Sequence, residues 1–364
     1  MGSRRMGHYR LGVLYGDGIG PEIVASAVEV LEAATMAAGG LSFDLVRLPI
    51  GWEAIQQRGV ATPPETFEAL AACDGWIMGP HDNASYPPEE RAKLNPSGAL
   101  RHHFDLYANI RPARTYLGVP SLLQDVDLIV ARENTEGFYA DRNMVRGTGE
   151  FMPTEDLALV VGRFTRRAAE RIARTGFELA SGRKKHVTIV HKANVLQMAY
   201  GMFREVCQGV GAEYPDVRVD DYHIDAMAAH LVRRAADFDV IVTTNMFGDI
   251  LSDLAGELVG SLGLLGSINA GQDRAMAQAT HGSAPDIAGR GIANPISEVV
   301  STALLLRWIG RRHSDPAADH AAAAMERAVE LTLSDGIRTP DLGGEATTKD
   351  LTAALVTRTL EPRP

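Results

Sequence analysis

Asp249 and Asp253 are the residues whose types and spacing most directly suggest chemistry. They lie four positions apart, just after the strand-like segment 240–244. Residues at this spacing share one face of an α-helix, so both carboxylates would point into the same space. Their mutual repulsion costs roughly a few tenths of a kcal/mol, which a Mg²⁺ or Mn²⁺ ion could offset. The alternative is a solvated acidic helix face. The apolar residues predicted to form the packing side of this helix are Phe247, Ile250, Leu251 and Leu254.

Three arginines lie in contexts too polar for a protein core: Arg101, Arg111 and Arg132. Guanidinium groups bind carboxylates through paired hydrogen bonds. Each arginine taken alone could be part of a surface ion pair. If the three converge, we expect a substrate that carries more than one carboxylate.

Tyr139 and Lys192 are candidates for proton transfer. Tyr139 closes the segment R-E-N-T-E-G-F-Y, and Lys192 follows the strand-like segment 186–191. A lysine that is desolvated or close to other cations can titrate low enough to act as a base. The alternatives are half-buried packing for Tyr139 and an ordinary surface position for Lys192. Asp225 could provide a third metal carboxylate or cap the helix that follows it.

Two glycine-rich segments could approach a ligand closely. The first, G-D-G-I-G-P-E at residues 16–22, is not the dinucleotide-binding fingerprint, because Pro21 stands where the third glycine is required. A structural turn that opens a helix is the alternative to a ligand contact. The second segment, residues 281–295, carries Asp286, which could accept hydrogen bonds from ribose hydroxyls and would repel a 2′-phosphate.

The elements that must position these residues alternate between strand-like and helical patterns. This alternation predicts an α/β fold with a largely parallel sheet. Residues 79–98, rich in proline, asparagine and charge, are predicted to form a loop region near a strand end. The predicted strands are 10–14, 42–47, 75–78, 128–131, 186–190 and 240–244, and the main predicted helices are 22–38, 64–72, 156–180 and 348–360.

Composition limits the classes of function. The chain has 364 residues, which favours two domains or lobes. Its net charge of −10 argues against a nucleic-acid-binding surface. Two cysteines without metal-site spacing are predicted to be buried thiols. The sequence has no apolar run long enough to span a bilayer, so no membrane association is predicted and a reducing, cytoplasmic setting is expected.

Taken in order, these segments resemble the β-decarboxylating dehydrogenases, the isocitrate/isopropylmalate dehydrogenase family. The resemblance runs from G-D-G-I-G-P-E at Gly16 to P-D-L-G-G-E-A-T-T-K-D ending at Asp350, and the combination of motifs is highly specific. It implies the isopropylmalate-dehydrogenase-like fold, in which two lobes share one central sheet, rather than a Rossmann fold. It also implies a large cofactor-binding domain at residues 1–100 and 253–364, and a small substrate-binding and dimerisation domain at 101–252.

The resemblance assigns a role to each candidate. Asp249 and Asp253 would bind Mg²⁺ or Mn²⁺ together with Asp225 from the other subunit of a homodimer. Lys192, also contributed by the partner, would accept the substrate hydroxyl proton, and Tyr139 would donate a proton after loss of CO₂. The predicted substrate-binding residues are Ser97, Arg101, Arg111, Arg132 and Asn194, and the predicted cofactor-binding residues are His281, Gly282, Ala284, Asp286, Ile287 and Asn294.

Cofactor and substrate follow from the same resemblance. Asp286 stands where family members specific for NADP carry a lysine, so NAD is expected. R-E-N-T-E-G-F-Y matches isocitrate and homoisocitrate enzymes, and Asn95 and Ser97 favour a (2R)-malate-type acid with a polar 3-substituent. Tartrate or D-malate comes next, followed by 3-isopropylmalate. The loop 81–88 departs from the family's cofactor loop. A non-catalytic regulatory subunit is the alternative from another class.

Overall fold

A ten-stranded sheet organises the chain, for which the computed structural model describes residues 7–139, 144 and 149–362. Its strand order is β2-β1-β3-β12-β11-β4-β5-β10-β8-β9, and β6 and β7 form a separate two-stranded sheet. The strands are β1 Gly7–Leu14, β2 Leu41–Arg47, β3 Gly75–Met78, β4 Ala108–Arg114, β5 Asp127–Glu133, β6 Glu150–Thr154, β7 Leu157–Val160, β8 His186–His191, β9 Arg218–His223, β10 Val240–Thr243, β11 Ile268–Ala270 and β12 Ala275–Ala277.

The large sheet has two parallel halves. Strands β2, β1, β3 and β12 are mutually parallel, and so are β5, β10, β8 and β9. Strands β11 and β4 join the halves through antiparallel pairings. The central strands β3, β8 and β10 are buried along their whole length, as expected for parallel strands that are covered on both faces. The predicted α/β class and shared, largely parallel sheet are confirmed.

Twelve α-helices pack around the sheets in the described chain. Helix α1 begins at Gly20 with Pro21 in its first turn, as the helix-start signal predicts. Both cysteines are buried, as predicted. The helices are α1 Gly20–Ala38, α2 Gly51–Arg58, α3 Pro64–Ala71, α4 Pro88–Arg91, α5 Pro96–His103, α6 Arg166–Ser181, α7 Ala199–Gly211, α8 Ile224–Arg234, α9 Asn245–Val259, α10 Ile296–His313, α11 Pro316–Ser334 and α12 Thr348–Leu360.

The single long helix predicted at residues 156–180 is wrong in its first part. Residues Leu157–Val160 form β7, the second strand of an exposed hairpin, and α6 begins only at Arg166. Thr165 sets this boundary, because its side-chain oxygen accepts a hydrogen bond from the backbone N–H of Ala168. Arginines of α6 are engaged in largely exposed ion pairs, such as Arg174 with Glu170 and Glu213.

The loops after β1, β3 and β12 meet at one end of the sheet. Gly18 lies in the turn after β1, where the backbone N–H of Ile19 donates to the carbonyl of Ser283 at 2.8 Å. Gly18 has φ +59°, and a Cβ there would lie 2.0 Å from that carbonyl oxygen, so a larger residue would clash. The two glycine-rich segments of the sequence therefore pack against each other.

The predicted domain boundaries coincide with helices rather than with linkers. The division at residues 100–101 lies within α5, and that at 252–253 lies within α9. The sheet is continuous across both, so the domain assignment stays a prediction. Across the described ranges, every helix is too short or too polar to cross a membrane.

Candidate active site

The first turns of α9 place Asn245, Asp249 and Asp253 beside the ends of β4 and β5. Asn245 is buried, and its Oδ1 atom accepts from Arg132 Nε at 2.9 Å and from a terminal guanidinium nitrogen at 2.6 Å. Gly248 allows this approach, because a Cβ there would lie 2.5 Å from Cγ of Arg132. Helix α9 is thereby fixed against the arginine that ends β5.

Asp249 is the centre of the cluster. Its Oδ1 atom accepts a hydrogen bond from Arg132 and lies 3.5 Å from a guanidinium nitrogen of Arg111. Its Oδ2 atom accepts a hydrogen bond from the Tyr139 hydroxyl at 2.5 Å. Burial raises the pKa of Asp249, but the charge of Arg132, the Tyr139 hydrogen bond and Arg111 together bring that pKa below its ordinary value. Asp249 is therefore held ionised.

Arg111 lies buried in β4 and joins the two acids. Its guanidinium group donates to Ser252 Oγ at 2.7 Å and to Asp253 Oδ1 at 3.2 Å. Burial, followed by the charge of Arg132, lowers the pKa of Arg111 to about 10, so it remains a cation at neutral pH. One terminal nitrogen of this buried cation contacts one hydroxyl and two carboxylates, whereas its Nε atom has no hydrogen-bond partner among the described residues.

Asp253 is less well compensated than Asp249. Burial and the negative charge of Asp249 raise its pKa, although Arg111 opposes this shift. Its side chain is half exposed, so a ligand can reach it. The two carboxylates are hard oxygen donors on one helix face, and this donor set fits Mg²⁺ or Mn²⁺. A cation there would offset the repulsion that burdens Asp253.

Arg101 lies on α5 and faces a different partner. It donates to Oε1 of Gln278 at 3.1 Å, and the same oxygen accepts from the Ser97 hydroxyl at 2.8 Å. The charge of Arg101 lowers the pKa of Asp249, which places it within electrostatic range of the α9 cluster. The structure therefore brings the three predicted arginines into one region, whereas Ser97 is buried and bonded to Gln278.

Lys192 and Asp225 form a separate pair. Lys192 follows β8, and Asp225 lies in the first turn of α8 after the outermost strand β9. Their side chains are 2.5 Å apart, and this hydrogen bond lowers the pKa of Asp225. Neither residue is bonded to Asp249 or Asp253 in the described chain, where no group of three or more His, Cys, Asp or Glu side chains could hold a metal ion. Asn194 is exposed close to Lys192.

The residues predicted to bind the cofactor lie along a second region. A cavity of about 640 Å³ is lined by five of them, together with residues from the turn after β1, the α9–β11 connection and the segment before α12. Asp286 is exposed and is not among the lining residues. The lining residues are Ile19, Ser261, Gly263, His281, Gly282, Ala284, Ile287, Ile292, Asn294, Pro340 and Asp341.

The cavity wall is held by local polar contacts. Asn294 donates to Asp341 Oδ2 at 3.0 Å and accepts from the backbone N–H of Ile296 at 3.0 Å. Burial lowers the pKa of His281, which keeps the imidazole neutral. Ala284 has φ +38°, an uncommon value for a residue with a Cβ, so this loop is held by its surroundings.

Four residues that shape these regions were not predicted from the sequence: Asn245, Ser252, Gln278 and Asp341. Asn245 and Ser252 belong to the acidic motif, and their positions one turn from Asp249 could have indicated them. Asp341 lies in the P-D-L-G-G motif, which the resemblance used only for matching. Gln278 carried no signal, because its partners lie 177 and 181 residues away.

One apolar assignment was also wrong. Phe247 and Leu251 are buried as predicted, but Ile250 is 55% exposed next to Asp249. The predicted packing side of α9 is therefore narrower than the apolar pattern indicated, and Ile250 faces away from the core.

Comparison with known proteins identifies the family of this chain. The profile of the family described as isocitrate/isopropylmalate dehydrogenase matches residues 10–355. The chain is 42% identical to the isocitrate/homoisocitrate dehydrogenase of Thermus thermophilus, over 96% of this chain and 98% of that one. It is 39% identical to the 3-isopropylmalate/3-methylmalate dehydrogenase of Methanocaldococcus jannaschii, over 97% and 99%.

A solved structure gives the same result for the fold. The crystal structure of isocitrate dehydrogenase from Methylococcus capsulatus superposes with a TM-score of 0.86 at 37% identity, covering 97% of this chain and all of that one. These matches extend over nearly the whole chain and include every residue of the two candidate regions. The chain belongs to the isocitrate/isopropylmalate dehydrogenase family.

Proposed function

We propose that this chain is an NAD-dependent oxidative decarboxylase of a (2R)-malate-type 2-hydroxy acid, with Mg²⁺ or Mn²⁺ as cofactor. The observation that carries the proposal is the arrangement around Asp249, which contacts two buried arginines and the hydroxyl of Tyr139 while a second acid lies one helical turn away. Two arginines that can bind anions, two carboxylates that can bind a cation and a phenol that can donate a proton thus lie in one small region.

The charge balance favours a polycarboxylate substrate. Arg101, Arg111 and Arg132 provide three positive charges, and Asp249 and Asp253 provide two negative ones, so the cluster has a surplus of one positive charge. A divalent cation would raise this surplus to three. Because Arg111 and Arg132 are buried, they can bind carboxylates with little competition from water. With the metal bound, a substrate with three carboxylates would neutralise the site, and one with two would leave a single positive charge.

The proton-transfer groups are a phenol and an amine. The Tyr139 hydroxyl is held 2.5 Å from Asp249, so its proton is oriented toward the cluster and can be donated to a developing carbanion. Lys192 would accept the substrate hydroxyl proton. When bound, Mg²⁺ or Mn²⁺ at Asp249 and Asp253 would supply a Lewis acid, and NAD in the cavity beside His281 would supply the hydride acceptor.

We propose a homodimer with shared active sites, and the position of the Lys192–Asp225 pair supports this proposal. Lys192 follows β8 and Asp225 follows the edge strand β9, and neither is bonded to Asp249 in the described chain; Met198, in the segment after Lys192, is 92% exposed. The β6–β7 hairpin also exposes apolar side chains and two strand edges. Helices α8 and α9 each expose an apolar side chain as well. A second copy that covers these surfaces would bring Asp225 and Lys192 of the partner subunit to Asp249.

NAD rather than NADP is proposed because Asp286 would repel a 2′-phosphate. For the substrate, isocitrate or homoisocitrate leads, in keeping with the Thermus relative. Tartrate and D-malate are alternatives, and the methanogen relative supports a 3-alkylmalate. A non-catalytic regulatory subunit is disfavoured, because Tyr139, Lys192, Asp249 and Asp253 are all present.

The test is turnover by the purified protein alone. With Mn²⁺ and NAD⁺, the panel of isocitrate, homoisocitrate, tartrate, D-malate and 3-isopropylmalate is expected to give reduced cofactor and CO₂ with at least one acid. A preference for NADP⁺ would refute the cofactor assignment. Silence on all five acids, with a folded protein that binds Mn²⁺, would favour the regulatory subunit.

A further inference from the structure

Gln278 links the cofactor-binding half of the sheet to the substrate arginines. It directly follows β12 and is buried, with its backbone N–H bonded to Ser267 and its carbonyl bonded to the hydroxyl of Ser301. Its side-chain oxygen accepts from both Ser97 and Arg101. The backbone is fixed on both sides, so the amide group is presented at a defined position.

The orientation of this amide is determined by Arg101. A guanidinium group can only donate hydrogen bonds, so the atom of Gln278 that faces it must be the oxygen. The amide nitrogen is therefore turned away from Arg101. Within the described chain, Nε2 of Gln278 donates no hydrogen bond. This atom is also not fully enclosed, so a ligand or water can reach it.

His81 is near enough to Arg101 to be affected by its charge. Its Nδ1 atom is enclosed and has no hydrogen-bond partner in the described chain. Burial and the charge of Arg101 lower the pKa of His81 to about 4, although Asp17 and Asp82 oppose the shift. The imidazole is neutral at physiological pH and adds no positive charge next to Arg101. Recognition of a ligand beside Arg101 would therefore depend on hydrogen bonds in addition to the charge of Arg101.

We propose that Gln278 is a specificity-determining residue, whose amide nitrogen donates a hydrogen bond to an oxygen atom on the 3-substituent of the acid that Arg101 binds. The inference rests on the proposed function and adds a substrate class to it. The oxygen can belong to a hydroxyl, as in tartrate, or to a carboxylate, as in isocitrate and homoisocitrate. An alkyl substituent would leave the amide donor unsatisfied, which a buried polar group tolerates poorly.

Gln278→Glu is the most informative variant, because a carboxylate still accepts from Ser97 and Arg101 but cannot donate. We expect kcat/KM for acids with an oxygen-bearing 3-substituent to fall by about 10–100-fold, mainly through KM. D-malate, which has no 3-substituent, and 3-isopropylmalate should change far less. The readout is the ratio of kcat/KM for each substituted acid to that for D-malate. The acid with the largest change in ratio identifies whether a hydroxyl or a carboxylate is bound.

Two further variants complete the test. Gln272→Glu introduces the same charge at an exposed loop position and should leave every ratio unchanged. Gln278→Met keeps the side-chain length but removes donor and acceptor, so it should lower turnover of D-malate as well as the ratio. Circular dichroism and thermal unfolding show whether Gln278→Glu folds. If it does not, the ratio of kcat/KM for each substituted acid to that for D-malate in Gln278→Met tests the proposal instead.

The outcomes separate the two proposals. A wild-type protein that is inactive on every acid refutes the proposed function and the role of Gln278 with it. An active wild type whose Gln278→Glu and Gln278→Met variants lose activity equally on all acids refutes specificity alone, and shows that Gln278 acts by positioning Arg101. An unchanged kinetic profile in the folded variants also overturns the proposal.

Discussion

Asp249 and Asp225 are chemically identical side chains in opposite situations. Asp249 is 38% exposed and is held by two buried arginines and Tyr139, all from its own chain. Asp225 is 69% exposed and contacts Lys192 at the outer part of the sheet. The contacts that hold Asp249 in place are supplied by its own chain. The exposed Asp225–Lys192 pair would become part of an active site only if another molecule covered it. The pair therefore supports the proposed dimer.

The strongest test of this contrast separates the two regions onto different chains. Tyr139→Phe and Lys192→Met should each reduce kcat by at least about 100-fold, because each removes a proton-transfer group. If the partner supplies Lys192, heterodimers formed from the two variants contain one intact site, and co-expression should restore a substantial part of the activity. Recovery is measured on the purified mixed dimer that carries two different tags.

Failure of the mixed dimer to recover activity would contradict shared sites while leaving the catalytic roles intact. A suitable control is the mixture of Tyr139→Phe with Asp249→Asn, both in the same cluster of one chain. That combination should not recover activity, because neither arrangement of subunits contains a complete cluster.

Metal affinity tests whether Asp225 belongs to the same metal site as Asp253. Asp253→Asn and Asp225→Asn are each expected to weaken Mn²⁺ binding by at least about 100-fold, more than the loss of a supporting contact usually costs. The measurement is calorimetric or electron-paramagnetic-resonance titration without substrate. Asp216→Asn, which removes a charge from an exposed turn, should bind Mn²⁺ like the wild type. An unchanged affinity in Asp225→Asn would remove Asp225 from the metal site.

The stability of the protein should depend on the contacts around Asp249. Arg132→Met leaves Asp249 and Asn245 without their buried partner, and we expect the free energy of unfolding to fall by about 2 kcal/mol. The loss is smaller than for a fully buried pair, because Asp249 retains access to water. Urea denaturation measures it. Arg174→Met, which removes a solvent-exposed ion pair, is the matched control and should have a much smaller effect.

A third acid, Glu298, sharpens the contrast because it is fully buried and has no ion-pair partner among the described residues. It accepts a hydrogen bond from the backbone N–H of Ala279 at 2.8 Å, its other oxygen has no partner in the described residues, and burial raises its pKa to about 8. Since its folded pKa is raised, the folded state holds a proton that the unfolded chain loses above about pH 4. The contribution of Glu298 to stability therefore falls as pH rises toward 8 and levels off beyond it.

Glu298→Gln should abolish this dependence. Relative to the wild type, its free energy of unfolding is expected to increase by about 1 kcal/mol from about pH 6 to about pH 7. Thermal or urea unfolding across this range measures the difference. Glu257→Gln, at an exposed position on α9, should show no such trend. A parallel pH profile for Glu298→Gln and the wild type would show that Glu298 is not held protonated.

Elements and motifs that depend on neighbouring residues could be predicted from the sequence. Residues whose roles depend on contacts between distant parts of the chain could not. β3 and α12 have the predicted bounds, because turn and capping residues delimit them; Thr347 and Asp350 form a capping box at the start of α12. Arg111, Arg132, Tyr139 and Asp249 were predicted to belong to one site, and the other three all contact Asp249. Gln278 could not be found, because its role depends on side chains brought together by the sheet order.

The β6–β7 hairpin was missed for a different physical reason. Its side chains are exposed, so burial did not impose the alternating pattern from which a strand is predicted. Asp286 was assigned correctly to a glycine-rich loop, yet its side chain does not line the cavity, since backbone direction within such a loop is not encoded by composition.

The sheet order also has a consequence for synthesis of the chain. β3 pairs with β12 in the register Gly75 to Ala275, and β4 pairs with β11 through Ala108 and Ala270. While the ribosome is still making the middle of the chain, both inner strands present unpaired edges that can associate with another molecule. The two halves close only when β11 and β12 emerge, so the last third of the chain completes the core of the first.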